Sequence, residues 1–152
     1  MKLESKWRSN LKEWVIAMWG ERQYMQMAHG NEVSAGLPDI QVMVWKPGGA
    51  DHAFLELKAV KVTSKLQAFS LHDQPTKLQT HTLHRIHKAG GNARVIVFHD
   101  DEKRLAVYPI VEVVERRAAG RTGVPYAEFD ERAYSVDNVR QMNSLLWRVL
   151  FG

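Results

Sequence analysis

The spacing of hydrophobic residues along the chain predicts one helix followed by a group of strands. Apolar side chains recur at helical spacing near the N-terminus, which predicts a first helix over residues 3–20. Residues 23–34 follow as a short strand or an irregular segment. Strict alternation then predicts a strand over residues 40–45, and turn residues at 47–51 join it to a second strand that contains residues 54–59. The sequence therefore predicts a β-hairpin beside the first helix.

The middle of the chain has the pattern of a helix between strands. After a polar, basic loop over residues 60–74, a helix is expected from Thr76 to Ala89, where two glycines end it. A Val-rich run over residues 93–98 predicts a buried strand. Residues 105–110 are expected to return as a strand at the edge of the sheet.

The C-terminal region has the pattern of a helical extension. A helix is expected over residues 111–119, a loop over 123–125, and a segment packed on the core over 126–134. Ser135 is a candidate N-cap for a final helix with an apolar stripe. This helix carries more apolar surface than one stripe needs, which favours docking on the domain and leaves a homodimer contact as the alternative.

Length and composition are those of a single soluble domain. The chain has 152 residues, enough to bury a core, and its lack of cysteine excludes disulfides and thiolate zinc sites. We expect one domain over residues 1–152, with a core over 3–110 and a helical extension over 111–152. The apolar run at residues 14–19 is too short for a secretion signal or a membrane span. The net charge of +4 suits a polyanionic partner and equally a mildly basic protein without one.

Charged residues converge at one end of the predicted hairpin. Asp39 follows Pro38 and opens the first strand, while Glu56 and Lys58 lie two residues apart in the second strand and so share a face. Two neighbouring carboxylates repel unless a cation compensates them, and their oxygens suit Mg²⁺. The sequence therefore predicts a Mg²⁺ site at Asp39 and Glu56, with Lys58 placed to orient or deprotonate water. Taken singly, Asp39 is also typical of a turn, and Lys58 of a solvated strand end.

The helix after this strand adds a fourth candidate, Gln79. Thr76 and Gln79 have the spacing of a capping box, which is one role for the glutamine. Gln79 also shares a helical face with Leu83 and Ile86, which would turn it towards the sheet.

Together these residues resemble the PD-(D/E)xK nuclease superfamily. The resemblance rests on Asp39 after Gly-Leu-Pro, on Glu56-Leu57-Lys58 in an apolar strand, and on the helix that begins near Gln79 and ends in Gly-Gly. This helix is similar to that of the VRR-NUC branch, the virus-type replication-repair nucleases, and of Holliday-junction-resolvase-like domains. Lys77 departs from that branch, which usually has a proline there. The resemblance covers residues of about 33–110 and implies an α/β fold of αβββαβ type, with a mixed sheet of four or five strands flanked by helices.

The resemblance also implies an activity and roles for the site residues. It implies a deoxyribonuclease that uses Mg²⁺, or Mn²⁺ in its place, and leaves a 5′-phosphate. Asp39, Glu56 and the backbone carbonyl of Leu57 would hold the metal. Lys58 would position the water, and Gln79 would orient Lys58 or the scissile phosphate. A glutamate of the first helix often joins the metal site in this family, and the candidates here are Glu4 and Glu13, followed by Glu21.

Stand-alone members of this family tend to be viral or bacterial and often dimeric, and several act on branched DNA such as four-way junctions. The resemblance thus implies DNA repair, recombination or phage replication in the cytoplasm of a bacterial or phage-infected cell. Two other functions stay open. One is a restriction-type or general repair nuclease with the same site residues, and the other is a non-catalytic DNA-binding or interaction protein on a nuclease fold.

Basic residues near the same helix are candidate DNA contacts. They are Lys61, Lys65, Lys77, His81, Arg85 and Lys88. Such residues would track phosphates with salt-sensitive affinity, although a solvated helix face explains the same pattern. The spacing of His81, His84 and His87 also suggests zinc, but no glutamate or cysteine completes the motif, which disfavours this alternative.

Overall fold

The computed structural model describes residues 2–28, 36–61, 66–136 and 139–152, which form five helices and eight strands. The elements are α1 (Lys2–Trp19), a 3-10 turn (Gly20–Arg22), β1 (Gln23–Met27), β2 (Ile40–Lys46), β3 (Gly49–Val60), β4 (Gln67–Ser70), α2 (Lys77–Lys88), β5 (Ala93–His99), β6 (Arg104–Pro109), α3 (Ile110–Ala118), β7 (Gly123–Pro125), α4 (Tyr126–Arg132), β8 (Tyr134–Ser135) and α5 (Val139–Phe151). Of the segment predicted over residues 23–34, residues 29–34 lie outside the described part of the chain.

Six of the eight described strands form a mixed sheet in the order β1-β2-β3-β5-β6-β8. Strands β3 and β5 are parallel and are joined through α2, whereas the other neighbouring pairs are antiparallel. The predicted mixed α/β architecture is confirmed, but the predicted number of four or five strands is too low. The short β8 pairs with β6, so β6 is not the edge strand that the sequence predicted.

Two predicted loops contain strands that pair with each other. Residues 60–74 include β4 and residues 123–125 form β7, and together they make a separate two-stranded antiparallel sheet. The backbone N–H of Leu71 extends this ribbon by donating to the carbonyl of Thr122 at 2.8 Å. Strands this short have no readable periodicity, and each depends on a partner far away in sequence.

One hydrophobic cluster joins the N-terminal and C-terminal helices to the sheet. Leu11 and Val15 of α1 are fully buried against Leu55 and Leu57 of β3, as the helical and alternating patterns predicted. Helix α5 contributes Leu146, Val149 and Leu150 to the same cluster. The helix therefore docks on its own domain. Ser135 lies in β8 rather than next to the first residue of α5, so the predicted N-cap is wrong.

A second hydrophobic cluster, which includes Leu71 and Leu83, lies on the other face of the sheet. Next to it, an arginine fixes the start of α2. The side chain of Arg117 in α3 donates to the carbonyl of Leu71 at 2.8 Å, to the hydroxyl of Thr80 at 2.6 Å, and to the carbonyl of Pro75. Gly36 packs against the same end of α2, since a Cβ at this residue (φ +82°) would lie 2.6 Å from Leu78 Cγ. The close approach of Gly36 to Leu78 holds the segment before β2 against α2.

No helix in the described residues is long and apolar enough to cross a bilayer.

Truncating Leu150 tests the docking of α5. This side chain is fully buried, so Leu150→Ala leaves a cavity and should lower the free energy of unfolding by about 2–5 kcal/mol. Arg148→Ala, on the exposed side of the same helix, should change it by about 0.5 kcal/mol or less. Urea denaturation followed by circular dichroism measures both values, and an unchanged Leu150→Ala variant would contradict the packing described above.

Candidate active site

The candidate site lies where β2 begins and β3 continues past it. The antiparallel pairing of the two strands ends at Ile40 and Leu55, and Asp39 immediately precedes β2. The backbone N–H of Leu57 donates to Asp39 Oδ2 at 2.9 Å, and the Asp39 carbonyl accepts from Ala28 N–H at 2.9 Å. These bonds hold the Asp39 carboxylate beside the strand that carries the other candidate residues.

Glu56 is buried without a hydrogen-bond partner. Its side chain has no exposed surface, and neither carboxylate oxygen is hydrogen-bonded within the described structure. Lys58 Nζ lies 3.6 Å from Glu56 Oε1, and only 13% of the lysine side chain is exposed. The structure thus brings Asp39, Glu56 and Lys58 together in a nearly dry environment.

Burial raises the pKa of Glu56 to about 9. Removal from water is the largest cause. The protonated Glu56 can also donate a hydrogen bond to the Asp39 carboxylate, which the ionised form cannot, and this bond and the negative charge of Asp39 raise the pKa further. Lys58 opposes both effects but does not cancel them. Without additional positive charge, Glu56 is therefore protonated at neutral pH.

Arg8 of α1 is a site residue that the sequence analysis missed. Its Nη2 atom lies 3.6 Å from Asp39 Oδ1, and its Nε atom is buried without a hydrogen-bond partner. Arg8 stands four residues after Glu4 on the helix, so both side chains project from the same face. The four-residue spacing from Glu4, which was already a candidate, is the signal in the sequence that could have identified Arg8 as a site residue.

Among the first-helix glutamates, only Glu4 lines the cavity beside Lys58. Glu4 is half-buried and borders a space of about 510 Å³ that Lys58 and Lys61 also line. Glu13 and Glu21 are exposed and do not line this cavity. The contact of Glu4 with a metal remains a prediction.

Gln79 occupies the capping box at the start of α2. Its Oε1 atom accepts from Thr76 N–H at 2.9 Å, and its own N–H donates to Thr76 Oγ1 at 3.2 Å. The predicted cap is confirmed, and Leu83 on the same face is fully buried. The cap occupies the side-chain oxygen of Gln79. The role of Gln79 in orienting Lys58 or the phosphate stays a prediction.

The candidate DNA contacts that the structure describes are all exposed. They are Lys61, Lys77, His81, Arg85 and Lys88. Lys65 lies outside the described residues. In the described part of the chain, no three His, Asp or Glu side chains are grouped so as to hold a metal, which argues against zinc at His81, His84 and His87.

The donor set suits a hard divalent cation with a partly aqueous shell. Asp39 and Glu56 offer carboxylate oxygens, and both oxygens of Glu56 lack partners. The N–H and C=O groups of one residue point to the same side of a strand, so the Leu57 carbonyl faces the edge where its N–H meets Asp39. Two carboxylates and one carbonyl fit Mg²⁺, which retains several waters.

Comparison with known proteins finds structural likeness at low sequence identity. No protein-family model matches the chain, and no curated protein matches it. Among solved structures, it is similar to Hjc, a Holliday junction resolvase from the archaeal hyperthermophile Archaeoglobus fulgidus. The identity is 14% and the TM-score 0.48, over 89% of this chain and 98% of that chain. The comparisons do not show membership of the VRR-NUC branch.

The buried Glu56 predicts how the stability of the metal-free protein depends on pH. Its pKa rises from an ordinary 4.5 to about 9 on folding, so the folded state binds this proton more tightly than the unfolded chain. The stabilisation is complete below pH 4.5 and is lost as the pH rises towards 9. From about pH 7 to pH 9, we expect the free energy of unfolding to fall by up to about 1.4 kcal/mol per pH unit.

Thermal unfolding in EDTA measures this dependence, with Glu56→Gln as the matched variant. The amide carries no charge at any pH, so its melting temperature should stay level across the same window. His99 does not interfere, because burial lowers its pKa from 6.5 and it titrates below the window. Parallel curves for the two proteins would rule out a protonated Glu56.

Proposed function

We propose that this protein is a divalent-metal-dependent DNA endonuclease that hydrolyses phosphodiester bonds. The observation that carries the proposal is the buried Glu56 carboxyl group, whose unpaired oxygens lie beside Asp39 and Lys58. A purely structural carboxyl group would be expected to have hydrogen-bond partners at this depth. The motif resemblance at Asp39, Glu56 and Lys58 supports the same activity.

Three groups of the chain would hold the cation: the carboxylates of Asp39 and Glu56 and the carbonyl of Leu57. When bound, Mg²⁺ supplies positive charge at the scissile phosphate and lowers the pKa of water. Mn²⁺ offers a similar preference for oxygen ligands.

The remaining residues orient the attacking water and the substrate and offset negative charge. Lys58 Nζ lies 3.6 Å from Glu56 Oε1, beside the proposed metal ligands, where it would donate hydrogen bonds to the attacking water or the phosphate. The ammonium group orients the attacking water and offsets charge that develops on the phosphate. Arg8 of α1 lies 3.6 Å from Asp39 and offers, besides Lys58, a second positively charged side chain at the site. Gln79, at the start of α2, is proposed to orient Lys58 or the phosphate with the amide nitrogen that the cap leaves available.

The proposed substrate class is branched DNA, including four-way junctions, in repair, recombination or phage replication. This part rests on the resemblance of residues 33–110 to the VRR-NUC branch. Exposed basic residues on α2 would contact phosphates on either side of the cut. A restriction-type duplex nuclease and a non-catalytic DNA-binding protein are the alternatives that the experiments below separate.

Replacing Lys58 tests the catalytic assignment. Lys58→Ala removes the water-positioning ammonium group, so we expect Mg²⁺-dependent cleavage to slow by about 10²- to 10⁴-fold. Lys46→Ala is the control, since Lys46 is half exposed and pairs with Asp51 at the opposite end of the hairpin. Cleavage is followed over time on labelled DNA with Mg²⁺, Mn²⁺ or EDTA. DNA binding without cleavage in every condition would favour the non-catalytic alternative.

Comparing substrates tests the preference for branched DNA. A four-way junction, a linear duplex of the same sequence and a single strand are cleaved in parallel at matched salt, because phosphate contacts make affinity strongly salt-dependent. We expect the junction to be cut at least about tenfold faster than the duplex, an energy difference of about 1.4 kcal/mol in the transition state. Equal rates on the junction and the duplex would point to a restriction-type or general nuclease instead.

A further inference from the structure

The cavity beside Lys58 is large enough for a small ligand. It has a volume of about 510 Å³ and lies between α1, the end of β3 and the strand β4. Ligand sites in proteins commonly measure about 300–1,000 Å³. Lys58 lines this space, whereas Asp39, Glu56 and Leu57 do not, so the proposed metal ligands leave the cavity without a role.

One wall of the cavity is apolar and firmly held. It includes Phe69 and Leu71 from the β4 segment, which are almost completely buried. The Phe69 ring makes edge contacts with Tyr108 and Phe129, at ring-centroid distances of 5.5 Å and 6.0 Å. A rigid apolar wall of this kind suits a planar aromatic ring, since little side-chain freedom is lost when the ring binds.

The rest of the lining is polar and cationic. Gln67, Ser70 and Gln74 are exposed and carry amide and hydroxyl groups that can bind the edge of a ring. The Ser70 oxygen already accepts from His72 N–H at 3.2 Å, so its hydroxyl is available as a donor. Lys58 and Lys61 supply two positive charges against the single carboxylate of Glu4. An apolar wall, hydrogen-bonding groups and an excess of positive charge together match a nucleotide, which has an aromatic base and an anionic phosphate.

Lys58 belongs both to this cavity and to the candidate active site. A phosphate bound at Lys58 would therefore place its adjoining nucleotide at the mouth of the cavity. A base inside continuous duplex DNA is stacked and paired, so it enters such a pocket only after unstacking, which costs a few kcal/mol. A nucleotide that is already unpaired enters without that penalty.

We propose that the cavity binds one unpaired nucleotide of the strand being cut, directly beside the scissile phosphate. The cavity thereby selects DNA in which such a nucleotide is free, as in a branch that carries an unpaired nucleotide or in a single-stranded segment. This inference rests on the proposed nuclease function and assigns its substrate selectivity to the walls of the cavity rather than to the metal ligands.

Two tryptophan variants test whether the nucleotide binds in the cavity or on the neighbouring surface. Ser70→Trp places an indole at the exposed end of β4, where it fills the cavity without altering Asp39, Glu56 or Lys58. His72→Trp adds the same indole two residues later, on a side chain that is 74% exposed and does not line the cavity. Circular dichroism verifies that both variants fold.

The first measurement uses wild-type protein and the fluorescence of 2-aminopurine in EDTA. The base analogue is placed, in separate substrates, on each side of the cleavage position in a branch with one unpaired nucleotide. Fluorescence should change on binding at one of the two positions and not at a paired position several nucleotides away. Ser70→Trp should abolish the change, whereas His72→Trp should retain it.

The second measurement compares cleavage rates on branched DNA with Mg²⁺. Since stacking of a base on an aromatic side chain contributes about 1–3 kcal/mol, Ser70→Trp should slow cleavage about 5- to 150-fold. His72→Trp should stay within about twofold of wild type. Equal fluorescence at paired and unpaired positions, or normal cleavage by Ser70→Trp, would overturn the cavity assignment while Lys58-dependent cleavage leaves the nuclease proposal intact. Absence of metal-dependent cleavage in the wild type would instead remove the nuclease proposal and this inference with it.

Discussion

The burial of the Glu56 carboxyl group beside Asp39 is the constraint on which the rest of the site depends. Two acidic groups in a dry environment are stable only if a proton or a cation removes the repulsion between them. In the chain alone the proton does so, and burial, the largest cause, together with the neighbouring Asp39 raises the pKa of Glu56 to about 9. A cation could do so instead, because both Glu56 oxygens lack hydrogen-bond partners in the described structure and their lone pairs are available to it.

The sheet supplies this arrangement through the unequal lengths of β2 and β3. Since β2 begins only after Asp39, the edge of β3 beyond Leu55 is free of its antiparallel partner, and Leu57 donates to the Asp39 side chain instead. Leu55 and Leu57 bury the opposite face of the same strand against α1. The hydrophobic core therefore holds the charged residues in place, and the strand cannot shift by one residue without exchanging the two faces.

The other helices and the β4–β7 ribbon give the site its walls. Helix α1 contributes Glu4 and Arg8, and Arg117 of α3 ties the start of α2 to the ribbon through three backbone and side-chain acceptors. The ribbon in turn carries Phe69, which forms the apolar side of the cavity. Metal binding and substrate selection would then belong to different parts of the fold, the first to the hairpin and the second to a ribbon that joins distant segments.

The sequence by itself determined the features that depend on neighbouring residues. Alternation and turn residues predicted β2 and β3, the spacing of Thr76 and Gln79 predicted the cap of α2, and the short distance between Asp39 and Glu56 followed from the hairpin. Only the tertiary structure decided the pairing of β4 with β7, the addition of β8 to β6, the contact of Arg8 with Asp39 and the cavity beside Lys58. Each of these joins segments that are remote in sequence, where local periodicity carries no information about which partner is met and only the packing of the whole core selects it.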